Sequence, residues 1–211
     1  RLIARMARLG QALAASWSGL EARRKALGGT WHGHADALAD YTHEGVGWTV
    51  DTAHRALEAE VATHWDARLP HYATLQERLR QLRHAYRHWA DTLSWRYAEL
   101  CAAHGPLPDP QLRLRSVFRR TVRQLLDDHP QSRVAFILLD GLRYELGANL
   151  AALLDAERGV EVDLKARLAP GPTDTWLCMN TLALDQDGTA PIEVQAWGRG
   201  VRAGAFTKIG R

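Results

Sequence analysis

The sequence predicts a protein of class α+β/α/β, with a helical bundle over residues 1–130 and the start of an α/β domain over residues 131–211. Before residue 130, apolar residues recur at helical spacing, and Pro and Gly separate the helical segments. After residue 130, a continuous apolar run, a helical pattern and an alternating pattern follow one another. The order strand, helix, strand, helix indicates a parallel sheet with a right-handed crossover.

Four helices are predicted in the first region. The first covers residues 1–27, and the second covers residues 49–65 after an irregular connector with one short helical turn. The third, over residues 72–104, has a coiled-coil-like apolar seam, which we assign to the core rather than to base stacking. A fourth helix ends at residues 127–130. The seam consists of Tyr72, Leu75, Leu79, Leu82, Tyr86, Trp89, Leu93, Tyr97 and Leu100.

The α/β region is predicted to begin with a buried strand, Val134–Asp140, because its run of apolar residues has strand length. A helix with a leucine stripe over residues 142–154, which ends near Gly159, and an alternating strand over residues 160–168 follow. A further helix over residues 174–184 and a short strand over residues 192–197 complete the pattern. These segments are too few for a complete doubly wound sheet, so we expect the remainder to lie downstream in a longer protein.

Composition favours a globular protein, since 46% of the residues are hydrophobic and 24% are charged. No apolar run approaches the ~18 residues of a membrane span, and no secretory signal pattern is visible. Cys101 and Cys178 are too few for a disulfide framework, which favours reduced thiols. We therefore expect a cytoplasmic protein. The chain begins with Arg1 and ends at Arg211, and we expect it to be a fragment.

Positive charge is concentrated in the first region of the chain, which has a net charge above the +3 of the whole sequence. A solvated helix surface explains this excess, and an acidic partner or nucleic acid is the alternative. Arginines are also clustered on the predicted fourth helix, where they either contact a phosphate backbone or form ion pairs with acidic neighbours or another protein. These are Arg113, Arg115, Arg119, Arg120 and Arg123.

Two residues of the α/β region have side chains suited to phosphoryl chemistry. Asp140 ends the predicted buried strand, where ligands bind in open parallel sheets, and it either binds a divalent cation or caps the next helix. Thr175 lies at a predicted helix N-terminus, which favours an anion. It is either a nucleophile or an ordinary first-turn residue. Arg143 either contacts a phosphate or forms an ion pair.

The motif DGLR at Asp140–Arg143 and the motif PTDTW at Pro172–Trp176 resemble those of the PglZ family of phage-defence systems (BREX and phage growth limitation). This family is part of the alkaline phosphatase superfamily. The resemblance covers about residues 133–184. It implies that the α/β region is the N-terminal part of an alkaline-phosphatase-like domain.

The resemblance also implies a metal-dependent phosphoryl hydrolase, of the phosphodiesterase or nuclease type, with two divalent ions (Zn, Mn or Mg). Asp140 and Thr175 would be metal ligands, Thr175 would be the nucleophile, and Arg143 would bind phosphate. The partners would be other BREX proteins and nucleic acid, with no membrane association. The alternative is a non-catalytic helical scaffold that docks other components of the defence complex.

Histidines are distributed unlike those of a complete superfamily site. All ten precede Asp140, so we expect the remaining ligands beyond Arg211 and little activity from this chain alone. The pairs His32/His34 and His84/His88 are interpreted as surface residues rather than as metal ligands.

Overall fold

A computed structural model describes residues 2–26, 30–42, 47–135, 137, 139, 141–169, 201–203 and 206–209. Six α-helices and two short strands occur in the described part of the chain. They are α1 (Leu2–Ala26), α2 (His34–Thr42), α3 (Gly47–His64), α4 (Tyr72–His104), α5 (Gln124–Asp128), α6 (Tyr144–Asp155), β1 (Val201–Ala203) and β2 (Phe206–Ile209).

The chain divides into two compact units, which we describe separately. The first unit comprises Arg1–Pro106 and Tyr144–Leu164, and the second comprises Leu107–Arg143 and Lys165–Arg211. The predicted division into domains at residue 130 stays a prediction. A membrane-crossing helix is not found among the described residues.

The first unit is a helical bundle in which α1, α3 and α4 pack against one another. Its core is formed by apolar side chains that recur every three or four residues and therefore share one helix face. Three of them, Leu79, Leu82 and Trp89, belong to the seam predicted for α4, and Leu100 further along that seam is also buried. The core cluster consists of Leu20, Val50, Leu57, Leu79, Leu82 and Trp89.

Prediction of the first three long helices is confirmed by α1, α3 and α4, but the connector between α1 and α3 is more ordered than the sequence indicated. Its nine-residue helix α2 begins at His34. The Asp36 carboxylate in the first turn accepts a hydrogen bond of 2.7 Å from the His32 N–H, and Ala37 is buried. Trp31 Nε1 donates to Asp40 Oδ2 at 3.1 Å. These contacts stabilise α2, whereas its sequence is too short to show an apolar period from which the helix could be predicted.

The predicted fourth helix lies in the second unit and is irregular. Two 3₁₀ turns, Pro110–Leu112 and Leu114–Ser116, lead into a π-helical segment, Phe118–Arg123, and then into α5. Pro110 occupies the first position of the first turn, where its missing N–H costs no hydrogen bond. In the same unit, β1 and β2 form an antiparallel pair.

Of the predicted strand-helix-strand pattern, the structure shows the helix, α6, and the residues that it describes in the two predicted strands do not form strands. Val134, Ala135, Ile137 and Leu139 have no regular secondary structure, and 75% of the Ile137 surface is exposed. In the second predicted strand, only Leu168 forms a bridge, and its partner is Arg113. A central strand needs neighbours on both sides to supply its hydrogen bonds, and the apolar run alone does not provide them. The segments predicted over residues 174–184 and 192–197 lie outside the described residues.

Helix α6 packs on the bundle through its first turn rather than through its leucines. The Tyr144 ring lies edge-on to Tyr41 and Trp48, with centroid distances of 6.3 and 6.2 Å. Its hydroxyl donates to the Thr42 carbonyl at 3.3 Å. Leu153, one of the leucines that recur at helical spacing in this segment, is 70% exposed. The apolar stripe of α6 is therefore not used as core within the described residues.

Candidate metal and phosphate site

Asp140 and Thr175, the two residues that the sequence motifs single out for metal binding and nucleophilic attack, lie outside the described residues. Their roles stay predictions. Among the residues that the structure does describe, no group of three or more His, Cys, Asp or Glu side chains could hold a metal ion.

The chain turns sharply directly after Asp140. Gly141 has a φ of +67°, and the Arg143 N–H donates a hydrogen bond of 3.0 Å to the Gly141 carbonyl. A backbone of this kind is adopted by glycine at little cost and strains residues that carry a Cβ. The glycine of the DGLR motif therefore has a conformational reason for its position.

Arg143 is exposed and immediately precedes the first residue of α6, Tyr144. The first turn of α6 contains one acidic residue, Glu145, whose side chain is fully buried. The exposure of Arg143 is compatible with both roles predicted for it, phosphate binding and ion pairing.

The arginine-rich segment of the second unit is partly committed to contacts within the protein. Arg113 Nε donates to the Pro108 carbonyl at 2.6 Å, and Arg123 forms an ion pair of 3.1 Å with Asp127. The ion pair is exposed on both sides, so it contributes little to stability. Arg119 and Arg120 are exposed as well. Ion pairing thus accounts for part of the arginine cluster.

Histidines of the bundle differ in their surroundings. His84 and His88 are exposed on α4, as predicted. His34 was predicted to be a surface residue, and this is wrong, since it is buried at the start of α2. Its ring lies edge-on to Tyr97 at a centroid distance of 5.9 Å, and its Nε2 lies 3.9 Å from Cys101 Sγ. Only the packing of α2 on α4 reveals this environment.

A polar network inside the bundle was not predicted. The Asp51 carboxylate accepts hydrogen bonds from the hydroxyls of Tyr41 and Tyr86, the latter at 2.6 Å. The Tyr86 ring stacks on His54 with a centroid distance of 3.7 Å. Burial lowers the pKa of His54, the neighbouring Arg83 lowers it further, and Glu58 and Asp51 act in the opposite direction. The network joins α2, α3 and α4, and its members have no common sequence period.

Comparison with known proteins bears on the second half of the chain. The family model PglZ, described as the BREX system PglZ alkaline phosphatase-like domain, matches residues 117–190. No curated protein and no solved structure matches the chain. The matched segment contains Asp140, Arg143 and Thr175, and it implies an alkaline phosphatase-like fold. The resemblance to the PglZ family that the two motifs indicated is thereby confirmed, over residues 117–190 of this chain.

Proposed function

We propose that this chain is part of a BREX-associated protein that hydrolyses a phosphoester, with Thr175 as the nucleophile and Asp140 and Thr175 as metal ligands. The observation that carries the proposal is the family match, because residues 117–190 include both side chains and Arg143. The substrate class is a phosphodiester, such as that of a nucleic acid. The site acts in the cytoplasm, together with other proteins of the defence system.

Donor chemistry at Asp140 and Thr175 fits a hard divalent cation, because both side chains present oxygen atoms. A pair of Zn, Mn or Mg ions, when bound, would neutralise negative charge on the attacking and leaving oxygens. Asp140 directly precedes the turn that Gly141 makes in the sequence. The Thr175 hydroxyl would lose its proton to solvent, and its Oγ would form a bond to phosphorus while the bond from phosphorus to the leaving oxygen breaks and that oxygen takes up a proton from solvent. Water would then attack the phosphorus, the bond from phosphorus to Thr175 Oγ would break, and the hydroxyl would be restored. Arg143 would donate hydrogen bonds to the phosphate oxygens.

The proposal includes an α/β domain over residues 131–211 that opens with a strand, a helix, a strand and a helix, after a helical region over residues 1–130. Two observations support it. The helix α6 occurs where the pattern requires the first helix, and its exposed Leu153 belongs to the face that a sheet would cover. Apolar residues of such a stripe gain ~1.5–3 kcal/mol each on full burial. A sheet that packs against α6 would therefore be stabilised by this face.

The test is metal-dependent hydrolysis of a chromogenic phosphodiester by the complete protein that contains this chain. We expect the Thr175→Ala variant to lose activity by at least ~100-fold, because the reaction loses its nucleophile. The Thr175→Ser variant keeps the hydroxyl and should keep much of the activity. Thr181→Ala, which lies outside the PTDTW motif, is the matched control and should stay close to the parent. Full activity of the Thr175→Ala variant would refute the proposed role.

The second candidate is a non-catalytic scaffold, and the surface of the helical unit favours it. Ile3 and Trp95, which precede the matched segment, are 75% and 72% exposed. Large exposed apolar side chains occur at protein interaction sites. If the chain acts as a scaffold, removal of residues 1–110 abolishes partner binding, and phage defence is unaffected by Thr175→Ala. Loss of defence in the Thr175→Ala variant would count against a purely structural role.

A further inference from the structure

A cleft of about 560 Å³ opens on the surface of the helical unit beside α3 and α4. We call it the basic cleft. Its apolar wall is formed by Val61, Trp65 and Leu79, and its cationic wall is formed by Arg80, Arg83, His84 and Arg87 of α4. Gln76 also lines it, but no carboxylate does. The cleft lies outside residues 117–190, the segment that the family model matches.

Two of the three guanidinium groups are partly neutralised by carboxylates. Arg80 donates from Nε and Nη2 to Glu77, at 2.9 and 2.7 Å. Arg83 donates from the same two nitrogens to Glu58, at 2.7 and 2.6 Å. A guanidinium group has five N–H donors, so each of these pairs leaves donors for a further acceptor. The bidentate edge that suits a carboxylate is already occupied in both arginines.

Arg87 is placed differently. It is exposed and has no ion pair or hydrogen bond with any other described residue. Because Arg80, Arg83 and Arg87 follow one another at spacings of three and four residues, they lie on one face of α4, ~5–6 Å apart from one to the next. The cationic wall is therefore a row of three guanidinium groups that extends ~10 Å along the helix, and Arg87 is the one whose charge no carboxylate of the described residues offsets.

We propose that the basic cleft binds a short stretch of single-stranded nucleic acid. A row of guanidinium groups suits a linear polyanion that carries one charge on each repeating unit. Sites for single-stranded nucleic acid combine a positively charged groove with aromatic side chains on which bases stack. The phosphates would contact Arg80, Arg83 and Arg87, and the apolar wall with Trp65 would accommodate a base. An acidic protein segment would present its carboxylates to the same guanidinium groups, but it has no base to place against the apolar wall with Trp65. The inference does not depend on the phosphoester site.

The experiment measures binding of a fluorescent oligothymidylate to the 211-residue chain by anisotropy, with EDTA present so that no metal-dependent hydrolysis occurs. One phosphate contact to a single strand contributes ~0.7 to the slope of log affinity against log salt. We expect Arg87→Gln to reduce this slope by ~0.7, which corresponds to about fivefold weaker binding near 0.1 M salt. Circular dichroism should show an unchanged fold, since Arg87 is exposed.

Arg78→Gln is the matched control. Arg78 lies on the same helix, is exposed and does not line the cleft, so the same loss of charge should leave the slope almost unchanged. The proposal is overturned if the two variants bind alike, or if only Arg119→Gln in the second unit weakens binding. It is also overturned if polyglutamate binds more tightly than oligothymidylate and its binding depends on Arg87. That result would assign the cleft to an acidic protein.

Discussion

Gly47, the first residue of α3, is buried against Tyr41 of α2. A Cβ atom at this position would lie 2.5 Å from Tyr41 Cδ2 and 3.0 Å from Tyr41 Cα. The ring cannot move away freely, because its hydroxyl donates to Asp51 and its face packs against Tyr144. We therefore expect Gly47→Ala to destabilise the helical unit.

Two opposing terms set the magnitude of this effect. Forcing one extra carbon into a packed site costs ~1–3 kcal/mol, whereas alanine gains up to ~1 kcal/mol over glycine in a helix interior and less at a first turn. The net loss should be ~1–2 kcal/mol in the free energy of unfolding. Gly19→Ala is the matched control, since Gly19 lies within α1 and a Cβ there would meet nothing within 4 Å. It should stabilise the protein by ~0.5–1 kcal/mol.

Urea unfolding followed by the helical circular dichroism signal measures both changes, which have opposite signs. If Gly47→Ala is as stable as the parent while Gly19→Ala is more stable, the steric argument is refuted. If Gly19→Ala is also destabilising, the interior of α1 is more crowded than the structure indicates.

Two further predictions concern the polar network of the bundle. Asp51→Ala removes the acceptor of the Tyr41 and Tyr86 hydroxyls and should lower the free energy of unfolding by ~2–4 kcal/mol. Urea unfolding measures this loss, and a loss no greater than that of Tyr86→Phe would contradict the prediction. Burial, opposed by Glu58, lowers the pKa of His54 below the ordinary histidine value of 6.5. The unfolded chain then binds the proton more tightly, so this contribution is complete above pH 6.5 and is lost as the pH falls towards the lower folded value. His54→Gln should flatten the dependence of Tm on pH in this range. An unchanged dependence would show that His54 is not the group responsible.

Much of the helical unit could be predicted from the order of its residues. The spacing of the seam in α4 placed Leu79, Leu82 and Trp89 on one face, and all three are buried. The helix α2 could not be predicted in the same way, because it depends on the Asp36 carboxylate and on burial of Ala37. A short helix has little stability of its own, so its neighbours decide whether it forms.

The candidate site was predicted from motifs rather than from periodicity. The DGLR and PTDTW motifs, which contain Asp140, Arg143 and Thr175, indicated the family that the match over residues 117–190 confirms. The apolar run that ends at Asp140 predicted a strand, but the described residues of this run, 134, 135, 137 and 139, have no regular secondary structure. A run of apolar residues indicates burial, but pairing partners elsewhere in the chain decide whether a strand forms.

The sequence by itself determined the helices with a long apolar period and the resemblance to PglZ over residues 117–190. Each of these depends on residues that are close together in the chain. Only the tertiary structure decided which distant side chains meet, such as Arg83 with Glu58, Tyr86 with Asp51, and Tyr144 with the Thr42 carbonyl. Such contacts depend on how the helices pack, because a helical period determines which face is buried but not which partner covers it. The basic cleft is a product of this packing.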